Sequence, residues 1–209
     1  MNILLPTSYL PPIHYFAHIL RAEKVFIELH EHFEKQTWRS RCSIYSPNGI
    51  QHLVVPLHER RDKSITKSIR ISNKTGWQKN HWRSLEAAYR SSPFFEYYED
   101  DLRAFYENEF DLLWEYNAKL LERLLGLLEI KKEANFTSTY EKEPLYATDL
   151  RDCLSKKNVL NIETPRYLQV FGNKHGFISN LSILDLLFNL GPRAGEYLNG
   201  LNPEERISS

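Results

Sequence analysis

Residues 35–57, KQTWRSRCSIYSPNGIQHLVVPL, decide how the rest of the chain is read. Two runs of alternating apolar and polar residues flank Asn48-Gly49, a pair suited to positive φ twice, so the stretch predicts a β-hairpin closed by a type I′ turn. With Asn48 and Gly49 as the two loop residues, Pro47 faces Ile50, Tyr45 faces His52, Ile44 faces Leu53, Ser43 faces Val54 and Cys42 faces Val55. Successive strand side chains point to opposite sides. One face then carries Cys42, Ile44, Leu53 and Val55 and is expected in the core. The other carries Arg41, Ser43, Tyr45, His52 and Val54, with Lys35 and Trp38 just upstream. A polar cluster on a stiff sheet is a candidate ligand site, and its members are Lys35, Trp38, Arg41, Tyr45 and His52.

Upstream, Asn2–Leu5 is a short apolar run stopped by Pro6, and a helix opens at Pro11-Pro12, where proline is tolerated in the first turn. That helix is expected over residues 12–21, followed by a strand over 24–29, KVFIEL. Strand, short helix and strand predict a parallel βαβ unit. Downstream of the hairpin, Ile69 and Ile71 alternate with polar neighbours and predict an edge strand over 68–72. From Trp77 the period becomes helical, with Trp82, Leu85 and Tyr89 on one face and Pro93 as the stop. Leu102, Phe105 and Tyr106 begin another amphipathic segment. Leu113, Tyr116, Leu120, Leu124 and Leu127 mark the longest helix, from about 109 to 129. Residues 135–161 are polar and carry no readable period. Residues 167–171 resemble a last strand, and residues 182–190 predict a helix closed by Gly191 at the C′ position, with Ser179, Asn180 and Ser182 as candidate caps. The fold class is mixed α/β: one domain, with a βαβ start, a hairpin and several packing helices, one of them long and central.

The composition narrows function mainly by exclusion. Lys plus Arg equals Asp plus Glu, 27 each, so no overall field draws a polyanion, and nucleic acid is not expected as a partner. No run approaches the ~18 apolar residues of a membrane span, and the N-terminus lacks a basic stretch ahead of an apolar core. Two cysteines, Cys42 and Cys153, stand outside any CxxC pair and suit a reducing setting, so the cytoplasm is the expected location. Cys42, on the core face, is expected to be protonated and inert. GxSxG, P-loop and Gly-rich dinucleotide signatures are absent, which removes the usual sequence signal for acyl hydrolases, NTPases and dehydrogenases.

His14 and His18 lie four apart on the first helix, with His30 and His32 beyond the second strand. Such imidazoles can ligate zinc or be satisfied by carbonyls and carboxylates, and without an HExxH signature no metal or other cofactor is expected. Trp38, Arg39 and Arg41 with Lys35 set guanidinium forks and an ammonium beside an aromatic plate, which suits a phosphate or carboxylate with a ring attached. For Trp38 and Arg41 to act together, the strand must begin, or bulge, after Trp38. The alternative for such an arginine is a buried ion pair. His81 with Trp82 at the start of the second predicted helix can serve as a general base beside a stacking surface, or simply pack. Asp185 sits in the apolar run Leu181–Phe188, so it is expected to be buried and to need a partner; Arg41, His81 and backbone donors are the candidates, and Arg41 or His81 is the expected one. His81 and Asp185 are the candidate catalytic residues.

Tyr9-Leu10-Pro11, Lys35 with Trp38 and Arg41, Val55-Pro56, Trp77, His81, Ala88-Tyr89, Pro93-Phe94 and the closing LSILDLLFNLG of residues 181–191 together resemble the WbqC-like protein family. The resemblance implies a single WbqC-like domain over residues 1–209 and an association with bacterial surface polysaccharide (O-antigen) biosynthesis. It suits a transferase acting on an activated sugar or similar anionic metabolite, such as a nucleotide sugar. The chain departs from the family pattern at Leu5-Pro6-Thr7, where the pattern has His-Gln-Pro, and at Leu29-His30, where it has paired aspartates. Those departures support an alternative, a ligand-binding or scaffold protein without catalysis.

Overall fold

The computed structural model describes residues 1–59, 63–152 and 164–202. Four short strands form a parallel sheet in the order β5-β2-β1-β6: β1 is Ile3–Pro6, β2 Val25–Glu28, β5 Ala134–Phe136 and β6 Thr148–Asp149. Helix α1, Ile13–Arg21, connects β1 to β2, so the expected parallel βαβ opening is present. Pro12 stands at its N-cap, where a missing N–H costs nothing.

The hairpin is a separate two-stranded sheet of β3, Arg41–Ser46, and β4, Gly49–Val54. Its register differs from the expected one. Ser46 pairs with Gly49, Tyr45 with Ile50, Ser43 with His52 and Cys42 with Leu53, so the loop residues are Pro47 and Asn48. Gly49 alone of the turn residues has positive φ, at 94°, and the type I′ assignment is therefore corrected. The reason is local. Proline's ring holds φ near −65°, which suits the first central position of an ordinary turn, and glycine then takes the left-handed position that follows. A slip of two residues preserves face membership, so Cys42, Ile44, Leu53 and Val55 remain buried together as expected.

Residues 68–72 form isolated bridges, Leu57 to Ile71 and Arg70 to Leu112, and not the expected edge strand. Helices α2, Trp77–Tyr89, α3, Phe95–Glu107, and α4, Leu113–Leu127, carry their apolar stripes into the core. Phe95, Tyr97 and Tyr98 lie in the first turn of α3. Residues 167–171 are not a strand. They run as irregular chain into the short helix α5, Gly172–His175. Helix α6, Ile183–Leu190, is capped by Ser182, whose hydroxyl accepts from Leu184 N–H, and closed by Gly191 at φ 55°. Helix α7, Ala194–Gly200, packs against α1.

The segment at residues 180–183 ties three parts of the fold together. Leu181 O accepts from Ile13 N–H, Asn180 Oδ1 accepts from His14 N–H, Ser182 N–H donates to Ser43 O, and Ile183 N–H donates to Pro11 O. The free donors of α1's first turn are thereby used inside the protein. This helix start does not present the open N–H groups that cradle phosphate in dinucleotide-binding folds.

Candidate ligand site at the carboxyl edge of the sheet

All four strands of the parallel sheet point the same way, so the residues just past their ends collect along one edge. Glu28 closes β2, and Asp149 closes β6 with Arg151 two residues on. Strand β1 lies between them, and Arg151 reaches past it: Nη1 donates to Glu28 Oε2 at 3.1 Å, while Nε and Nη2 fork onto Asp149 at 2.9 and 2.6 Å. The Arg151 guanidinium also lies over the Tyr140 ring, 5.0 Å from its centre. The other Glu28 oxygen accepts from Thr137 Oγ1 at 2.9 Å and from His30 N–H at 2.7 Å, so residues following β5 and β2 hold it as well. Glu28 is fully buried and Arg151 is 5% exposed, which makes this a built network and not a surface contact. Burial pushes the Asp149 carboxyl up, but the hydrogen bonds and charge of Arg151 outweigh that and hold it below its usual range.

A second network adjoins the first. Arg39 is 2% exposed and donates from Nε to Glu31 at 2.7 Å and from Nη1 to the half-exposed Glu34 at 3.4 Å. Burial raises the Glu31 carboxyl despite that bond, and the charges of Glu28 and Arg151 act on it too. Asn117 of α4 links this network to β1, donating from Nδ2 to Thr7 Oγ1 at 3.1 Å and to Arg39 O at 2.9 Å. Trp38 O accepts from Tyr9 N–H and Ser8 Oγ. Residues 29–40 thus run across the strand ends and are fastened there. Leaving Glu34 aside, Glu28, Glu31 and Asp149 face Arg39 and Arg151, a formal balance of one negative charge. Asn117 Oδ1, His30 Nε2 and Trp38 Nε1 are buried with no hydrogen-bond partner among the described residues. Buried polar atoms are rarely left unpaired unless water or a ligand completes them.

The residues singled out from sequence take varied places. Lys35 is exposed, and Arg41 is partly buried with its Nε unpartnered. Strand β3 begins at Arg41, after Trp38, which meets the condition for the two to act together. His52 is exposed and its Nδ1 lies 2.9 Å from Ser43 Oγ. The expectation that Tyr45 stands on an open polar face is overturned. It is fully buried beneath residues 171–176, with its hydroxyl donating to Gly176 O at 2.6 Å. Of Arg39 and Arg41, the one held in a buried ion pair is Arg39, with Glu31.

His81 is 7% exposed. Its Nδ1 lies 2.9 Å from the Tyr9 hydroxyl, and the Val54 backbone acts on the ring as well. Burial lowers its pKa to about 4, against the Val54 bond, and it is neutral at pH 7. Asp185 is fully buried as expected, but neither Arg41 nor His81 partners it. Tyr167 Oη donates to its Oδ2 at 2.5 Å and Gln169 Nε2 at 2.8 Å, and no ion pair reaches it among the described residues. Tyr89, which accepts from Tyr45 N–H, adds a hydroxyl beside the carboxylate. Burial is the dominant influence on Asp185 and lifts its pKa to about 6, with the Tyr167, Gln169 and Tyr89 groups pulling it back.

His14 Nδ1 lies 2.5 Å from Asn180 Oδ1, and the Nε2 atoms of His14 and His18 have no partner among the described residues. Among the described residues no group of three or more His, Cys, Asp or Glu could hold a metal ion. Cys42 is fully buried, which pushes its thiol up, and Cys153 lies outside the described residues. No helix among the described residues is long and apolar enough to cross a membrane. Sequence reasoning missed Arg151, Asn117 and Glu28 as site residues. The available signal was positional, a carboxylate at the end of a parallel strand.

The arrangement defines an α/β protein with an open parallel sheet, the class in which ligands sit beyond the carboxyl ends of the strands. The chain belongs to the WbqC-like protein family, which matches residues 7–157 and so spans both networks. It is similar to the protein titled "Uncharacterized protein Rv1507c" of Mycobacterium tuberculosis, 26% identical over 226 residues that cover 93% of this chain and 96% of the relative. No solved structure matches it.

Proposed function

We propose that this chain is a cytoplasmic protein of bacterial surface polysaccharide biosynthesis that binds an activated sugar at the carboxyl edge of its parallel sheet. The observation that carries the reading is the convergence of Glu28, Asp149, Arg151, Thr137 and Asn117 on one edge, with a buried acceptor, Asn117 Oδ1, left unpaired among the described residues. Carboxylate and amide oxygens accept from sugar hydroxyls, and an edge with an excess negative charge suits a hydroxyl-rich group better than a bare phosphate. The anionic end then falls to Lys35 and Arg41, which make no ion pair among the described residues, with the Trp38 ring as a stacking surface.

The non-catalytic reading is favoured by one observation: His81 and Asp185 are both buried, with His81 Nδ1 2.9 Å from the Tyr9 hydroxyl. In this account they position the turn after β1 and the segment at residues 167–169, without touching the ligand. The test is a thermal-shift and turnover screen against UDP-glucose, UDP-N-acetylglucosamine and GDP-mannose. Stabilisation that Arg41→Ala and Lys35→Ala each weaken supports the site. Release of nucleotide would establish transfer or hydrolysis, and binding without release would establish the non-catalytic reading. No stabilisation by any of the three would overturn the proposal.

A further inference from the structure

A cleft of about 930 Å³ opens between residues 91–94, the segment at residues 165–170 and helices α6 and α7. Its size falls within the range of small-molecule pockets, roughly 300–1,000 Å³. Apart from residues 91–94, its walls lie beyond residue 157, outside the family match that contains the sheet-edge site.

The walls combine aromatic surface with unpaired cations. Phe94, Tyr167 and Tyr197 line it, the two tyrosine rings 5.3 Å apart and nearly perpendicular. These rings are held in place: Tyr197 Oη donates to Pro165 O at 2.6 Å, Tyr167 Oη donates to Asp185, and Phe94 N–H donates to Phe188 O. Arg166 and Arg193 also line the cleft, both exposed, and neither forms an ion pair among the described residues. Glu196 is the carboxylate on the wall, so two guanidiniums and one carboxylate give a balance of one positive charge, opposite in sign to the sheet edge. Leu168, 90% exposed, stands at the lip as apolar surface with nothing packed on it among the described residues.

We propose that this cleft is a second ligand site, which takes a planar ring bearing a phosphate or carboxylate, the ring against Phe94 and Tyr197 and the anion between Arg166 and Arg193. Guanidinium forks match both anions bidentately and also stack on rings, which lysines do less well. A flat ring entering the cleft would cover Leu168 as well, removing the exposed leucine from water.

Isothermal titration with UMP, AMP and 4-nitrophenyl phosphate tests this, with inorganic phosphate and uridine as the half-ligands. At least one ring phosphate is expected to bind about tenfold or more tighter than either half-ligand, because both contacts are needed. Arg166→Ala and Arg193→Ala, both at exposed positions, should each weaken that binding about fivefold or more without changing the melting temperature. Arg41→Ala should leave it intact, which separates this cleft from the sheet-edge site. The proposal is overturned if none of the three ring phosphates binds. It is equally overturned if phosphate alone binds as tightly, or if binding is lost in Arg41→Ala and retained in Arg166→Ala.

Discussion

Replacing Asp185 with Asn keeps the shape of a fully buried side chain and removes its charge. In the wild type burial lifts the carboxyl from its ordinary 3.8 to about 6, and the two donors on Oδ2 do not offset that cost. The sign follows from where protons sit. Below pH 3.8 the group is protonated in both states. Between 3.8 and 6 the folded form keeps its proton while the unfolded form loses it, so stability falls as pH rises. Above 6 both are ionised and the loss is complete. A shift of about two units corresponds to about 3 kcal/mol. Other buried groups work the opposite way: burial lowers His14 and His81 to about 4, so each adds stability above pH 6.5 that is lost on acidification. The wild-type curve alone therefore hides the Asp185 effect, and the difference between variant and wild type isolates it. Urea unfolding of both proteins from pH 4 to 7.5 should show Asp185→Asn gaining about 3 kcal/mol relative to wild type across that range, with the change centred between pH 4 and 6. Parallel curves would refute the reasoning, and a variant that loses stability most at neutral pH would point to a cation braced by Asp185.

Four further expectations concern single positions. Gly191 has φ 55°, and a Cβ there would sit 2.5 Å from the Phe94 ring, so Gly191→Ala should lower stability in urea unfolding by about 2 kcal/mol or more. Gly49 has φ 94° with open space around it, so Gly49→Val should cost about 1–2 kcal/mol from backbone strain alone, and an unchanged melting temperature would refute the turn assignment. Arg151→Met leaves Glu28 buried without its cation and should cost about 3–5 kcal/mol, while adding Glu28→Gln should recover much of that in a double-mutant cycle. His81→Gln should reduce the stability lost between pH 6.5 and 4 by up to about 3 kcal/mol, read from melting temperature against pH.

The sequence made the βαβ opening, the long helix and the capped α6 legible because each depends on local period and capping chemistry. The hairpin was legible in its faces but not in its register: alternation fixes which side a residue takes, and Pro47 decides which residues turn. Strands β5 and β6, three and two residues long, carry no pattern of their own. Residues after the long helix become strands because β2 and β1 offer them unpaired edges. The sequence Tyr167 to Phe171 alternates like a strand, yet its Tyr167 and Gln169 side chains turn inward to satisfy Asp185. The sheet-edge network was the least legible part. Glu28 and Arg151 are 123 positions apart, and only the parallel topology brings them together.

The most direct test of the sheet-edge site is hydrogen–deuterium exchange with and without whichever nucleotide sugar stabilises the protein most. The account expects slowed exchange in residues 7–10, 29–41 and 137–151, with residues 165–170 and 189–200 unchanged. Protection confined to the C-terminal cleft, or spread evenly over the chain, would contradict it.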